Sequence, residues 1–381
     1  MKRVVKFLLI IAVGVEAGEL SEVFEKAKVD GYIRGTYQSH DIKNDSVYED
    51  DALGGKLHIE TNAVAGMSAG ASFYTSNALF NNENKGLVPL RGESHKSYSI
   101  LGEAYLKAEF GKNILKVGRQ EIETPFAQAD DIGMVPNTFE AAIFESRAIR
   151  DVVVVLGQVQ KMAGVDAESV DTFKKINGSK NVQVLGLSYE GISGLTLAGW
   201  YYNLKDGEVD NIAYLEADYE KEMGEMTYGI GVQYSKQGHD VGDSATVYGG
   251  TVSATANSFG LSLATAYTEV HDNVATSGFG GGPFFSNSEY LILDNAGKDG
   301  KATWFGAEYD AEIAGLKGVA FGLAQVTLED EAGREAKELD FTASYEINKA
   351  TEIHLIASKL EGTNVGEDDA KHLRVFANYS F

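Results

Sequence analysis

The sequence predicts an all-β fold: an 18-stranded antiparallel transmembrane β-barrel, with short periplasmic turns and long external loops. Three observations carry that expectation. Apolar and polar residues alternate with period two over segments of about ten residues, as in a strand with one face to lipid and one to a wet lumen. Short turns and longer polar connections follow one another along the chain. Beyond the N-terminus no stretch approaches the roughly 18 consecutive apolar residues that a membrane-crossing helix needs.

The chain opens as a secretory signal would. Lys2, Arg3 and Lys6 precede the apolar run Phe7–Val15, and Val15-Glu16-Ala17 places small residues where a signal peptidase cuts. Residues 1–17 are therefore expected to be a signal peptide, cleaved after Ala17. Residues 18–28 form a periplasmic lead. Leu20, Val23, Phe24 and Ala27 have helical spacing there, and a frayed terminus is the competing reading. Residues 29–381 make the barrel.

Composition fits a barrel exported from the cytoplasm. There are 43 Gly, 19 Tyr and 18 Phe, against 4 Pro and 0 Cys, so no disulfide can staple the fold. Mean hydropathy is −0.18, more polar than a helical membrane protein, because only every second strand residue needs to meet lipid. The net charge of −23, nearer −25 without the signal, excludes nucleic acid as a partner, since phosphate would be repelled.

Five segments show the alternation clearly. Leu57, Ile59, Thr61 and Ala63 oppose Lys56, His58, Glu60 and Asn62. Ala104, Leu106, Ala108 and Phe110 oppose Glu103, Tyr105, Lys107 and Glu109. Ala213, Leu215, Ala217 and Tyr219 oppose Tyr214, Glu216 and Asp218. Leu339, Phe341, Ala343, Tyr345 and Ile347 oppose Asp340, Thr342, Ser344 and Glu346. In the last segment Leu373, Val375, Ala377, Tyr379 and Phe381 oppose His372, Arg374, Asn378 and Ser380, with Phe376 breaking the polar face.

Short turns are expected at 65–67, 111–113, 147–150, 191–194, 222–224, 256–257, 313–316 and 348–349. Longer connections are expected at 40–52, 79–96, 122–137, 162–180, 204–209, 237–242, 271–300, 329–335 and 362–369. Eight turns and nine loops give 18 strands, an even number with both ends on the periplasmic side. Pro89, Pro125, Pro136 and Pro283 all fall in loops, as they must if strand interiors exclude proline. The segments near 150–161 and 195–203 alternate least well, and a misread hairpin there would leave 16 strands.

Specific residues resemble a known family. The stretch Gly102-Glu103-Ala104-Tyr105-Leu106-Lys107 through Val117-Gly118-Arg119-Gln120 resembles the OprD-type porins. So do Thr124-Pro125, Asp130-Asp131 and Met134-Val135-Pro136-Asn137-Thr138-Phe139-Glu140. Val29-Asp30-Gly31-Tyr32-Ile33-Arg34 and the closing Tyr379-Ser380-Phe381 agree, and together they suggest the branch with the major outer-membrane porins of campylobacters. A terminal Phe on an alternating strand also resembles the signal read by the barrel-assembly machinery. The resemblance implies an outer-membrane location and a third external loop, here 122–137, that folds inward and narrows the pore.

On that reading Glu121, Glu123, Asp130 and Asp131 are the constriction candidates, between the stiffening Pro125 and Pro136. Arg34, Arg374, Lys107, Lys116 and Glu103 are pore-wall candidates; Arg34 and Arg374 become neighbours on barrel closure. Asp130 and Asp131 are expected opposite Arg34 and Arg374, setting a transverse field. Family members often carry an Arg beside the loop acids, but Ile132-Gly133 stand here, so strong anion capture is not expected.

Enzymatic readings have weak support. Gly66-Met67-Ser68-Ala69-Gly70 matches a nucleophile elbow in letters, but that elbow needs a strand-to-helix turn. No cofactor is implied, and a metal site is left open: Glu49-Asp50-Asp51, Glu329-Asp330-Glu331 and Glu367-Asp368-Asp369 are acidic without EF-hand spacing. These runs suit external loops facing lipopolysaccharide. The leading function is passive diffusion of small polar solutes and ions, weakly cation-preferring or passing amino acids and small peptides, with a homotrimer possible. The alternatives are an adhesive barrel that binds partners through loop 271–300, and a barrel lipid hydrolase.

Overall fold

A computed structural model describes residues 23–80, 90–92, 94–362 and 369–381. Residues 23–25 form a helical turn ahead of the first strand. The signal segment 1–17, Pro89, and the acidic run Glu367–Asp368 lie outside the described residues.

Eighteen strands form one closed antiparallel wall. They are β1 (Lys28–Ile42), β2 (Val47–Glu60), β3 (Met67–Ala78), β4 (Tyr98–Phe110), β5 (Asn113–Gln120), β6 (Thr138–Ser146), β7 (Val152–Ala163), β8 (Val182–Ile192) and β9 (Leu195–Asn203). The second half comprises β10 (Val209–Met223), β11 (Met226–His239), β12 (Ala245–Ala256), β13 (Leu261–His271), β14 (Lys301–Asp310), β15 (Val319–Glu329), β16 (Glu335–Asn348), β17 (Thr351–Glu361) and β18 (Ala370–Ser380). Closure is made by β1 on β18, with Arg34 opposite Asn378 and Gln38 opposite Arg374. A full ring leaves no sheet edge, which a strand in lipid could not tolerate. The 16-strand alternative is thereby excluded: β6–β7 and β8–β9 pair as ordinary hairpins.

The alternation places side chains as the period-two rule requires. Leu57, Phe73, Leu106, Leu215, Val232, Phe305, Phe341 and Tyr379 point outward and are exposed. Tyr74, Glu103, Tyr214, Ser235, Asp340, Arg374 and Asn378 point inward and are buried. Pro125, Pro136 and Pro283 lie outside every strand.

Two expectations need correction. Residues 40–52 are not a long loop: β1 and β2 run on to a tight turn at 43–46, where Asn44 takes a φ of 66° that asparagine tolerates. Polar residues there misled the reading, because a strand beyond the membrane needs no apolar face. The second correction concerns the lumen, which is not polar throughout. Val247, Val270, Val326, Leu328 and Leu360 face inward yet are buried among apolar neighbours. Segment 272–300 covers them, bringing Phe284, Leu291, Leu293 and Ala296 into one cluster. Each fully buried Leu there contributes about 1.5–3 kcal/mol.

Candidate functional site

Segment 121–137, between β5 and β6, touches opposite sides of the wall. At one end Phe126 packs edge-on against Tyr202 (centroids 5.4 Å) and Tyr214 (5.5 Å), on β9 and β10. At the other, Asp131 reaches Arg34 on β1, accepting from Nη1 at 2.7 Å and Nη2 at 2.8 Å. In a ring of eighteen, β1 and β10 stand nine strands apart, so the segment spans the barrel.

A second segment meets it. Backbone groups of Phe126 and Gln128 bond Phe279 (2.9 and 3.1 Å), and the Gly281 N–H donates to Asp130 (3.2 Å). Wall carboxylates hold this segment from behind. Glu338 on β16 accepts from the backbone N–H of Tyr290 (3.1 Å) and Leu291 (2.6 Å), and Asp340 accepts from Ser288 (2.6 Å). Glu289 pairs with Arg374 on β18.

The nine sequence candidates separate into distinct settings. Arg34 and Arg374 come together around Phe376, their guanidinium carbons 5.2 and 5.7 Å from its ring centroid. Asp131 is bound to Arg34, so the two do not face each other across the pore; that expectation is corrected. A backbone carbonyl at Gly133 and a bidentate fork on Arg34 make direct contact the better arrangement. Arg374 likewise is met by Glu289, not by Asp130. Asp130 turns instead toward Asp166, which Asn137 holds (2.7 Å). Burial first, then the Asp166 carboxylate, pushes Asp130 up to about 7, while the Gly281 N–H works the other way. Glu123 is exposed and forms no ion pair among the described residues.

Glu103, Glu121, Lys107 and Lys116 belong to a network on β2–β5. Lys56 bridges Glu103 (3.0 Å) and Glu121 (2.9 Å). Tyr74 donates to Glu121 (2.7 Å) and Ser72 to Glu103 (2.6 Å). Lys116 is 3.6 Å from Glu103 and lies over the Tyr105 ring at 3.8 Å. Lys107 pairs with Glu60 (2.5 Å) and Glu109 (3.1 Å). The sequence reading did not single out Lys56, Glu60 or Tyr74 as functional. Their signal was present: Lys56 and Glu60 share the polar face of an alternating strand next to Arg34's.

Charge is divided across the lumen. On β8–β15 no Lys or Arg faces inward; Lys221, Lys236 and Lys301 share the outward face of Tyr219, Tyr234 and Phe305. The inward face of β10 carries Glu216 and Asp218, with Tyr214 donating to Glu216. Gly66–Gly70 forms the β2–β3 hairpin, where Ser68 donates to Glu60 (3.1 Å), and no strand-to-helix elbow exists there. Among the described residues no group of three or more His, Asp or Glu is arranged to hold a metal.

The comparisons agree with this architecture. OccAB3 of Acinetobacter baumannii superposes with a TM-score of 0.81 at 17% identity, covering 94% of this chain and 99% of that one. A BenF-like porin of Pseudomonas fluorescens Pf-5 gives 0.79 at 16%, and Pseudomonas aeruginosa OpdK with vanillate gives 0.78 at 16%, both covering 94% of this chain and 99% of theirs. At such identity the likeness shows the fold alone. No curated protein sequence matches the chain. The profile of the family described as outer membrane porin, OprD family, matches residues 23–381. That match covers nearly all of the chain, so the protein belongs to the OprD family of porins and is a channel of the Gram-negative outer membrane, not an enzyme.

Proposed function

We propose that this porin passes small polar solutes through a passage narrowed by segments 121–137 and 272–300, with a weak preference for cations and for small zwitterions such as amino acids or short peptides. The observation that carries this reading is the neutralisation of the basic wall. Arg34 is paired with Asp131, Arg374 with Glu289, and Lys56 with both Glu103 and Glu121. What remains in excess is acidic: Asp130, Glu123, and the Glu216–Asp218 pair on the far wall. Carboxylates lining a passage favour cations and draw in the ammonium end of a zwitterion.

OpdK was crystallised with vanillate, which carries a carboxylate. The paired arginines here leave less free positive charge to hold such an anion. The adhesive alternative loses its main candidate, because Leu291, Leu293 and Ala296 of segment 272–300 are buried against the wall. The test is zero-current potential across a planar bilayer in a KCl gradient. A potassium-leaning value supports the proposal, and a clear chloride preference overturns it.

A further inference from the structure

We propose that the outward face of β5–β7, at its external end, is a binding site for the phosphate of an outer-leaflet lipid headgroup. Arg119, Lys161 and Lys175 form it around the single carboxylate of Glu140. Arg119 Nε and Nη2 each lie 3.2 Å from Glu140 Oε1, and Lys161 Nζ lies 3.0 Å from Oε2. Lys175, in the short ladder Lys174–Lys175, is paired directly opposite Lys161. Like charges directly opposite in a ladder repel, and Lys175 has no ion-pair partner among the described residues.

The cluster faces lipid and not the lumen. Arg119 shares its face with the exposed Val117, and Glu140 shares its face with Phe144, which stacks on the exposed Phe110. It stands at the strand ends joined to 121–137 and 164–181, away from the short turns at 111–112 and 147–151. Elsewhere along this end, Lys301 pairs with Glu329 (2.9 Å), Lys337 with Glu335 (2.7 Å) and Lys359 with Glu361 (2.5 Å), each with a carboxylate of its own. Here Arg119 and Lys161 share the one carboxylate of Glu140 and Lys175 adds a third cation beside them, unpaired among the described residues, in a chain whose net charge is −23. Phe173 against the Arg119 guanidinium (4.2 Å to the centroid) fixes that side chain in place. An excess of positive charge at headgroup height attracts phosphate, with each lysine worth about fivefold in affinity.

The test is native mass spectrometry of the refolded full-length barrel in detergent, titrated with bis-phosphorylated lipid A or with the same lipid after its phosphates are removed. The wild type is expected to bind the phosphorylated form more than tenfold better. Lys161→Gln combined with Lys175→Gln is expected to abolish that preference, while Lys301→Gln with Lys337→Gln retains it. Heat-modifiable gel migration confirms that each variant is folded. Equal binding of both lipids by the wild type overturns the proposal, as does an equal loss in the control variant. Displacement of the lipid by millimolar inorganic phosphate also overturns it, since it would mean a site for the free ion.

Discussion

Arg34 on β1 holds Asp131 through a two-point ion pair at 2.7 and 2.8 Å, tying segment 121–137 to the seam where the barrel closes. The guanidinium is also fixed from the wall side, where Nε donates to Asn378 (2.8 Å) on β18. One arginine thus links two neighbouring strands and the segment that crosses the lumen.

Arg34→Ala should loosen that crossing segment without preventing barrel closure, since β1 and β18 pair through eleven register positions. Leaving Asp131 unpartnered costs about 1–3 kcal/mol, in the lower half because Asp131 is 44% exposed and water replaces part of the loss. Single-channel recordings should show larger, noisier openings. Unchanged conductance and noise would remove the pair from the constriction.

The Asp130 carboxyl, at about 7 against an ordinary value near 4, gives a pH dependence of definite sign. Between those values the folded protein keeps a proton that the unfolded chain has lost, so stability falls as pH rises from 4 to 7 and is level above. In the channel, a negative charge appears as pH passes 7. Cation preference should therefore grow between pH 5.5 and 8.5, and Asp130→Asn should flatten that change. A pH profile identical in the variant would contradict the assignment.

Glu338→Ala tests the latch on segment 272–300. Its carboxylate accepts from two successive backbone N–H groups, and losing it leaves those donors buried, at about 1–3 kcal/mol each. Hydrogen exchange at residues 288–293 should accelerate at least tenfold, with a rise in conductance. If only global unfolding changed, the latch would be structural and not local.

Much of the barrel was legible because lipid imposes a strict rule on every second residue. Leu57, Leu106, Leu215, Leu339 and Tyr379 obey it, so strand faces and the eight short turns could be read in order. Residues 40–52 were misread because polarity marks distance from lipid, not the end of a strand. Val326 and Leu328 broke the polar-in expectation, since a segment distant in sequence folds over them. The pairing of Arg34 with Asp131 was hidden for the same reason: 97 positions separate them, and no local pattern encodes that contact. Lys56 was visible on a polar face, but its bridge between Glu103 and Glu121 depends on the four strands β2–β5 coming side by side.

The division of lumen charge also makes a prediction at the wall opposite the arginines. Glu216→Gln combined with Asp218→Asn removes two inward acids from the middle of β10 and should move the zero-current potential toward zero, with conductance little changed. A shift of equal size from Glu222→Gln, at the periplasmic edge of the same strand, would show that position in the lumen does not matter.

The proposed weak cation preference of this lumen rests on the pairing of its basic residues with carboxylates. Its most direct test is the zero-current potential of the refolded wild-type channel under a tenfold KCl gradient. A modest potential of the sign set by potassium is expected, and a clear chloride-selective potential would rule that preference out.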